Sequence, residues 1–233
     1  EDEISGCATA IGASFAGALA ATSTSEQGLV YDAGNLAFIL PTGKYIGNSR
    51  YKDVFAASTT ADLTSFRNHW GAETSLDVAL YRPVARYELV AKDVATFLNK
   101  LSTGGLKGES FTARVKYSDY LPTGYNLWDD VPKNSLMYME YKVAFERPAD
   151  GTKDLQLGFD YVLTDAGETV PIPVELEILN EKNEVLARTA FRIPCERGKN
   201  TTVRGNFLTS DINGGIGIDP DYDGDLEVDL GEL

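Results

Sequence analysis

Apolar side chains recur at every second position through much of the second half of this chain, the signature of strands buried on one face. Leu155, Leu157, Phe159, Tyr161 and Leu163 form the longest strict run. Phe111, Ala113, Val115 and Tyr117 share a face in the same way, as do Met137, Met139, Tyr141, Val143 and Phe145 up to Arg147-Pro148. Val174, Leu176 and Ile178 lead into a turn at 180–183, and 185–193 returns. Asp165-Ala166-Gly167 supplies another turn. Strands at this spacing, with turn residues between them, predict an antiparallel β-sandwich.

The first half is less regular. Residues 1–28 are small and weakly patterned, with one strand expected near 5–10, and 36–40 is an apolar strand feeding Pro-Thr-Gly. Residues 41–74 have no firm period and predict loop with one or two short elements. Leu76, Val78 and Leu80 then alternate, Arg82-Pro83 interrupts, and alternation resumes at Ala85, Tyr87 and Leu89. Proline has no N–H for a ladder, so Pro83 belongs at an edge, a bulge or a crossover. The domain boundary is placed there, giving an N-terminal β-sandwich domain over 1–83 and a C-terminal one over 84–233. Asp93 is positioned to cap one short helix, with Val94, Phe97, Leu98 and Leu101 on its apolar stripe and Gly104-Gly105 ending it.

Composition narrows the functional classes. Hydrophobic residues make up 43% and charged residues 24%, ordinary globular usage that argues against wholesale disorder. Acids outnumber Lys and Arg 35 to 21, a net charge of −14. Eight of those acids fall in 205–233, which has no Lys or Arg. Phosphate binding needs concentrated cations, so nucleic acid and anionic membrane are poor partners. No run of about 18 apolar residues is present to span a bilayer. The stretch 11–21 has the look of a leader core but follows Glu1, Asp2 and Glu3, so it is not read as a signal peptide. The chain starts without Met, as a processed or trimmed form would.

Catalytic chemistry finds little footing. His69 is the only histidine, no Gly-x-Ser-x-Gly elbow accompanies it, and zinc spacing is absent. No catalytic, cofactor-binding or metal residue is assigned, and a non-enzyme is expected. Cys7 and Cys195 form no metal pair, and either a disulfide or two buried thiols fits them. The stretch Asp219 to Asp225 (DPDYDGD) matches the first half of a calcium loop, but Leu230 stands where the bidentate glutamate belongs. A solvated acidic turn is the competing reading. Tyr120, Tyr125 and Trp128 offer aromatic surface to a glycan, so a glycan- or calcium-binding surface module is the alternative function.

Three stretches carry a family resemblance: Leu76 to Val90 (LDVALYRPVARYELV), Asp154 to Leu163 (DLQLGFDYVL) and Ile193 to Gly224. In the last, Ile-Pro precedes a basic turn, a Gly-Asn-Phe-Leu-Thr strand and an Asp-rich close. Together they make the chain similar to the fimbrillin-like pilus subunits of the Bacteroidetes. The resemblance implies an all-β protein of two transthyretin-like sandwich domains, exported to the bacterial surface as a lipoprotein precursor and assembled into a fimbrium by strand exchange. The implied partners are other pilus subunits paired at sheet edges, and a host or bacterial surface ligand for adhesion. Cys7 is not assigned as the lipidated residue, because acids precede it.

The tail supplies a physical route to such assembly. Leu226, Val228 and Leu230 alternate with acids and share one face. Burying each of them contributes roughly 1.5–3 kcal/mol before entropic costs. The segment 225–230 can be donated to a neighbour's edge or complete its own sheet; both readings stand on the sequence.

Overall fold

The structure, a computed structural model, describes residues 45–57, 75, 77 and 79–210, and the backbone of strands at 35–37 and 226–229. The strands are β1 (Asn35–Ala37), β2 (Val84–Ala91), β3 (Ser110–Tyr117), β4 (Leu121–Asn126), β5 (Val131–Leu136), β6 (Glu140–Glu146), β7 (Leu155–Leu163), β8 (Thr169–Asn180), β9 (Val185–Glu196), β10 (Asn200–Gly205) and β11 (Leu226–Asp229). One α-helix, α1 (Val94–Ser102), joins β2 to β3 among the described residues. The protein is all-β, as its periodicity predicts.

Two four-stranded sheets, ordered β11-β10-β2-β7 and β6-β3-β8-β9, enclose the main core. Tyr87 and Leu89 enter it from the first sheet, and Phe111, Val115, Leu176, Ile178 and Ile193 from the second. The alternation of β3 is realised in full: Phe111, Ala113, Val115 and Tyr117 are all buried. The helix buries Val94, Phe97 and Leu98, with the Phe97 ring edge-on to Phe111 at 5.1 Å, and Gly104 ends it at φ +76°. A third sheet, β1-β4-β5, packs Tyr125 against Tyr161 and Leu163 on the outer face of the first.

The antiparallel expectation meets one exception, because β10 runs parallel to β2. Leaving β9, the chain turns through Gly198 at φ +75° and enters the opposite sheet alongside β2, so β9 and β10 are not a hairpin within one sheet. Pro83 sits immediately before β2, where no ladder N–H is required of it.

Several sequence expectations change in the fold. Ala79 and Leu80 are not in a strand and Leu80 is exposed, so the half-buried strand expected over 76–80 does not reach Leu80; Leu76 and Val78 lie outside the described residues. β6 begins at Glu140, not at Met137, because Tyr138 takes a left-handed backbone at φ 63°. The run in β7 does not line one face. Leu89 and Val90 of β2 pair with Gly158 and Gln156, so Leu157 is the extra residue of a bulge in β7 that shifts the phase. Leu157 therefore joins the main core, whereas Tyr161 and Leu163 join the outer cluster, and Asp160 and Val162 turn inward in their place. Gly158, at φ +156°, accommodates the shift, and a Cβ there would press on Val143 at 3.2 Å and Tyr141 at 3.3 Å. The strand expected near 5–10, His69, Cys7 and the Asp219 to Asp225 loop lie outside the described residues, as does most of the N-terminal domain assigned to 1–83.

Candidate functional site

The tail strand occupies an edge of the first sheet. β11 pairs antiparallel with β10 in the register Asn200–Asp229, Thr201–Val228, Thr202–Glu227 and Val203–Leu226. Of the two readings of this segment, the structure has it completing its own sheet.

The body end of the tail is fixed by Asp93. As an N-cap, Asp93 was expected to bond its own helix, but its side chain makes no such bond. Its carboxylate instead accepts from the Leu208 N–H at 3.0 Å, the Thr209 N–H at 2.8 Å and the Thr209 hydroxyl at 2.7 Å. Phe207 and Leu208 are buried beside it, and Phe207 stacks on Phe191 of β9 at 5.3 Å. The chain is thus pinned at 207–209, and residues 211–225 separate that pin from β11.

The other edge of the same sheet, β7, is closed differently. Asn48 donates its N–H to the Phe159 carbonyl and accepts from the Phe159 N–H through Oδ1, both at 3.1 Å. Its backbone is left-handed at φ 53°. Gly47 lies flat on Tyr141, where a Cβ would fall 2.3 Å from the ring. The segment is anchored from inside. Lys52 Nζ donates to Asp160 Oδ1 and to Tyr45 Oη at 2.7 Å each. The Tyr45 and Tyr117 hydroxyls donate to Asp160 Oδ2 at 2.6 and 2.7 Å. Tyr87 hydrogen-bonds Tyr117 at 2.7 Å and Tyr141 at 3.2 Å, extending the chain of hydroxyls across the core.

The Lys52, Asp160 and four tyrosine side chains are all buried, with Asp160 at 0% and Lys52 at 4% exposure. Burial pushes the four tyrosine hydroxyls well above their usual range, with the Asp160 charge adding to the shift. Burial also lowers Lys52, opposed by the Asp160 carboxylate beside it. Nothing in the sequence flagged Tyr45 or Lys52, which lie in a stretch without period. An Asp inside the apolar run of β7 was the available clue.

The aromatic trio proposed for a glycan does not assemble. Tyr120 and Trp128 are each 63% exposed, but Tyr125 between them is fully buried. Its hydroxyl donates to Asp130 at 2.6 Å and accepts from Arg197 at 2.7 Å. Tyr120 precedes β4 and Trp128 follows it, so a strand of six residues, about 20 Å, separates them. They form no single platform.

On the outer face of the second sheet, Glu177 of β8 stands directly between Arg114 of β3 and Arg188 of β9. Arg188 donates to Oε1 at 2.7 and 2.9 Å, Lys116 pairs at 2.9 Å, and Arg114 bonds Oε2. Burial pushes the Glu177 carboxyl up, but these bonds outweigh it and hold it at about 2. Cys195 is a buried thiol, pushed up to about 12 by burial and the Asp160 charge, and inert as a nucleophile on that ground. Among the described residues, no His, Cys, Asp and Glu side chains group to hold a metal, and no helix is long and apolar enough to cross a membrane.

No curated protein matches the chain. Among solved structures it is similar to a candidate cell adhesion protein from Bacteroides ovatus ATCC 8483, at 10% identity and a TM-score of 0.32, over 80% of this chain and 68% of that one. It is also similar to a candidate cell adhesion protein from Bacteroides eggerthii DSM 20697, at 12% identity and a TM-score of 0.32, over 65% of this chain and 57% of that one. A family model matches residues 15–231, nearly the whole chain, and the protein therefore belongs to the family of unknown function designated DUF6562.

Proposed function

We propose that this protein is a non-enzymatic subunit of a bacterial surface fimbria or pilus, joined to other subunits through sheet edges, with an adhesive role at the cell surface. The observation that carries the reading is the placement of β11. A short strand lies at the edge of a sheet, on β10, and reaches the body through residues 211–225 beyond the Asp93 pin. Fifteen residues span up to about 50 Å when extended. That reach allows the strand to leave its own β10 for the β10 of a neighbour in the same register. Main-chain hydrogen bonds supply the affinity in either case, so exchange costs no ladder bonds. The resemblance of 193–224 to fimbrillin-like subunits points the same way.

The test is assembly after deletion of 225–233. Sedimentation should show the full chain forming oligomers and the truncated chain staying monomeric. A labelled peptide spanning 225–233 should then bind the truncated protein and not the full chain. Oligomers that persist unchanged after truncation would remove the tail from the mechanism.

A further inference from the structure

We propose that Lys52 and Asp160 condense into an intramolecular amide, so that the mature protein carries a covalent cross-link between the 45–52 segment and β7. This inference is independent of the pilus reading.

The geometry is that of a reactant pair held in place. Nζ lies 2.7 Å from Oδ1, with the Lys52 and Asp160 side chains 6% and 0% exposed. Each carboxylate oxygen has a separate set of partners. Oδ1 faces the ammonium and the Tyr161 N–H at 2.8 Å. Oδ2 receives two hydroxyl donors, Tyr45 at 2.6 Å and Tyr117 at 2.7 Å. That division distinguishes the two oxygens chemically. Oδ1 is placed to take protons from nitrogen and depart. Oδ2 is placed where negative charge develops, beneath two preorganised donors.

The atoms balance without any other reagent. One proton passes from Nζ to Oδ1, converting ammonium and carboxylate into amine and acid. The Nζ lone pair attacks Cγ and forms the C–N bond, and the charge that collects on Oδ2 is held by Tyr45 and Tyr117. A second Nζ proton moves to Oδ1, the Cγ–Oδ1 bond breaks, and Oδ1 leaves as water. One N–H remains on the amide. Nothing is oxidised or reduced.

Burial favours each stage. Desolvation lowers Lys52, which makes its neutral, nucleophilic form easier to reach. An ion pair out of water carries a desolvation cost that an amide does not. A dry core also excludes the water that would reverse the step. The packing keeps the pair aligned: Tyr45 Oη accepts from Nζ at 2.7 Å, and the Lys52 ammonium lies 4.4 Å from the Tyr45 ring centre.

The experiment is an intact-mass measurement of the purified, denatured protein, followed by digestion and fragment sequencing. The expected result is a chain lighter by one water, with the peptides bearing Lys52 and Asp160 recovered as one branched species. Lys52→Met should return the mass to that of the unreacted variant chain. Tyr117→Phe, which removes one donor to Oδ2, should slow the appearance of the lighter species by about 100-fold in a time course after refolding. A wild-type chain that keeps its full mass after prolonged folding overturns the proposal. So does a missing water that maps anywhere other than these two residues.

Discussion

The two outer edges of the first sheet are closed by opposite means. At β7, a non-strand segment makes one backbone bond and one side-chain bond through Asn48, and its hold comes from Lys52 and Tyr45 reaching into the core. At β10, closure is by a regular ladder with β11. The first edge is locked by side chains that exist in one place only. The second is closed by main-chain bonds that any strand of suitable length can offer. A fold can therefore make one edge permanent and leave the other open to exchange, by choosing which kind of bond closes it.

The largest expected effect falls on the locked edge. Asp160→Ala leaves Lys52 buried with neither cross-link nor counter-charge and should lower stability by about 3–5 kcal/mol in chemical denaturation. A loss below 1 kcal/mol would mean the segment at 45–52 is not anchored there. Acid supplies a control that belongs to neither edge. Glu177, held at about 2, contributes stability that is complete above its ordinary value of 4.5 and is lost as pH falls through that window toward 2. The loss should reach on the order of 2–3 kcal/mol, and Glu177→Gln should flatten the profile in that range. Both edges should weaken together with the body as this happens.

Asp93→Ala should cost about 1–3 kcal/mol, since the buried Leu208 amide and the half-buried Thr209 amide lose their acceptor. Hydrogen exchange at those two amides should accelerate while exchange in β7 stays unchanged. Removing 225–233 should have the smallest effect on the monomer, about 1 kcal/mol or less in melting experiments, because a short edge ladder stabilises little by itself. If truncation costs as much as Asp160→Ala, the contrast between a locked and an exchangeable edge fails.

Much of the fold was legible wherever burial and period coincide. The strand β3 and the helix stripe of Val94, Phe97 and Leu98 needed no tertiary information. β4 and β5 were hidden because Pro122, Gly124, Pro132 and Asn134 read as turn residues, yet the strands form against a neighbouring sheet. The candidate edge at 225–230 was visible in its alternation. The anchor at the opposite edge was not, since Lys52 and Asp160 are 108 positions apart and a lysine in an aperiodic stretch is ordinarily a surface residue.

What the residues alone determined was the class of structure: alternating apolar positions commit a chain to sheets with one wet and one dry face, whatever their partners. Which face each residue of β7 finally presented was decided by a bulge at Leu157, a register event between two strands separated by more than sixty residues. That shift turned Asp160 inward, and a buried carboxylate then required Lys52 and the tyrosines around it. Local period is a property of neighbours in sequence, whereas register is settled only when distant strands compete for the same core.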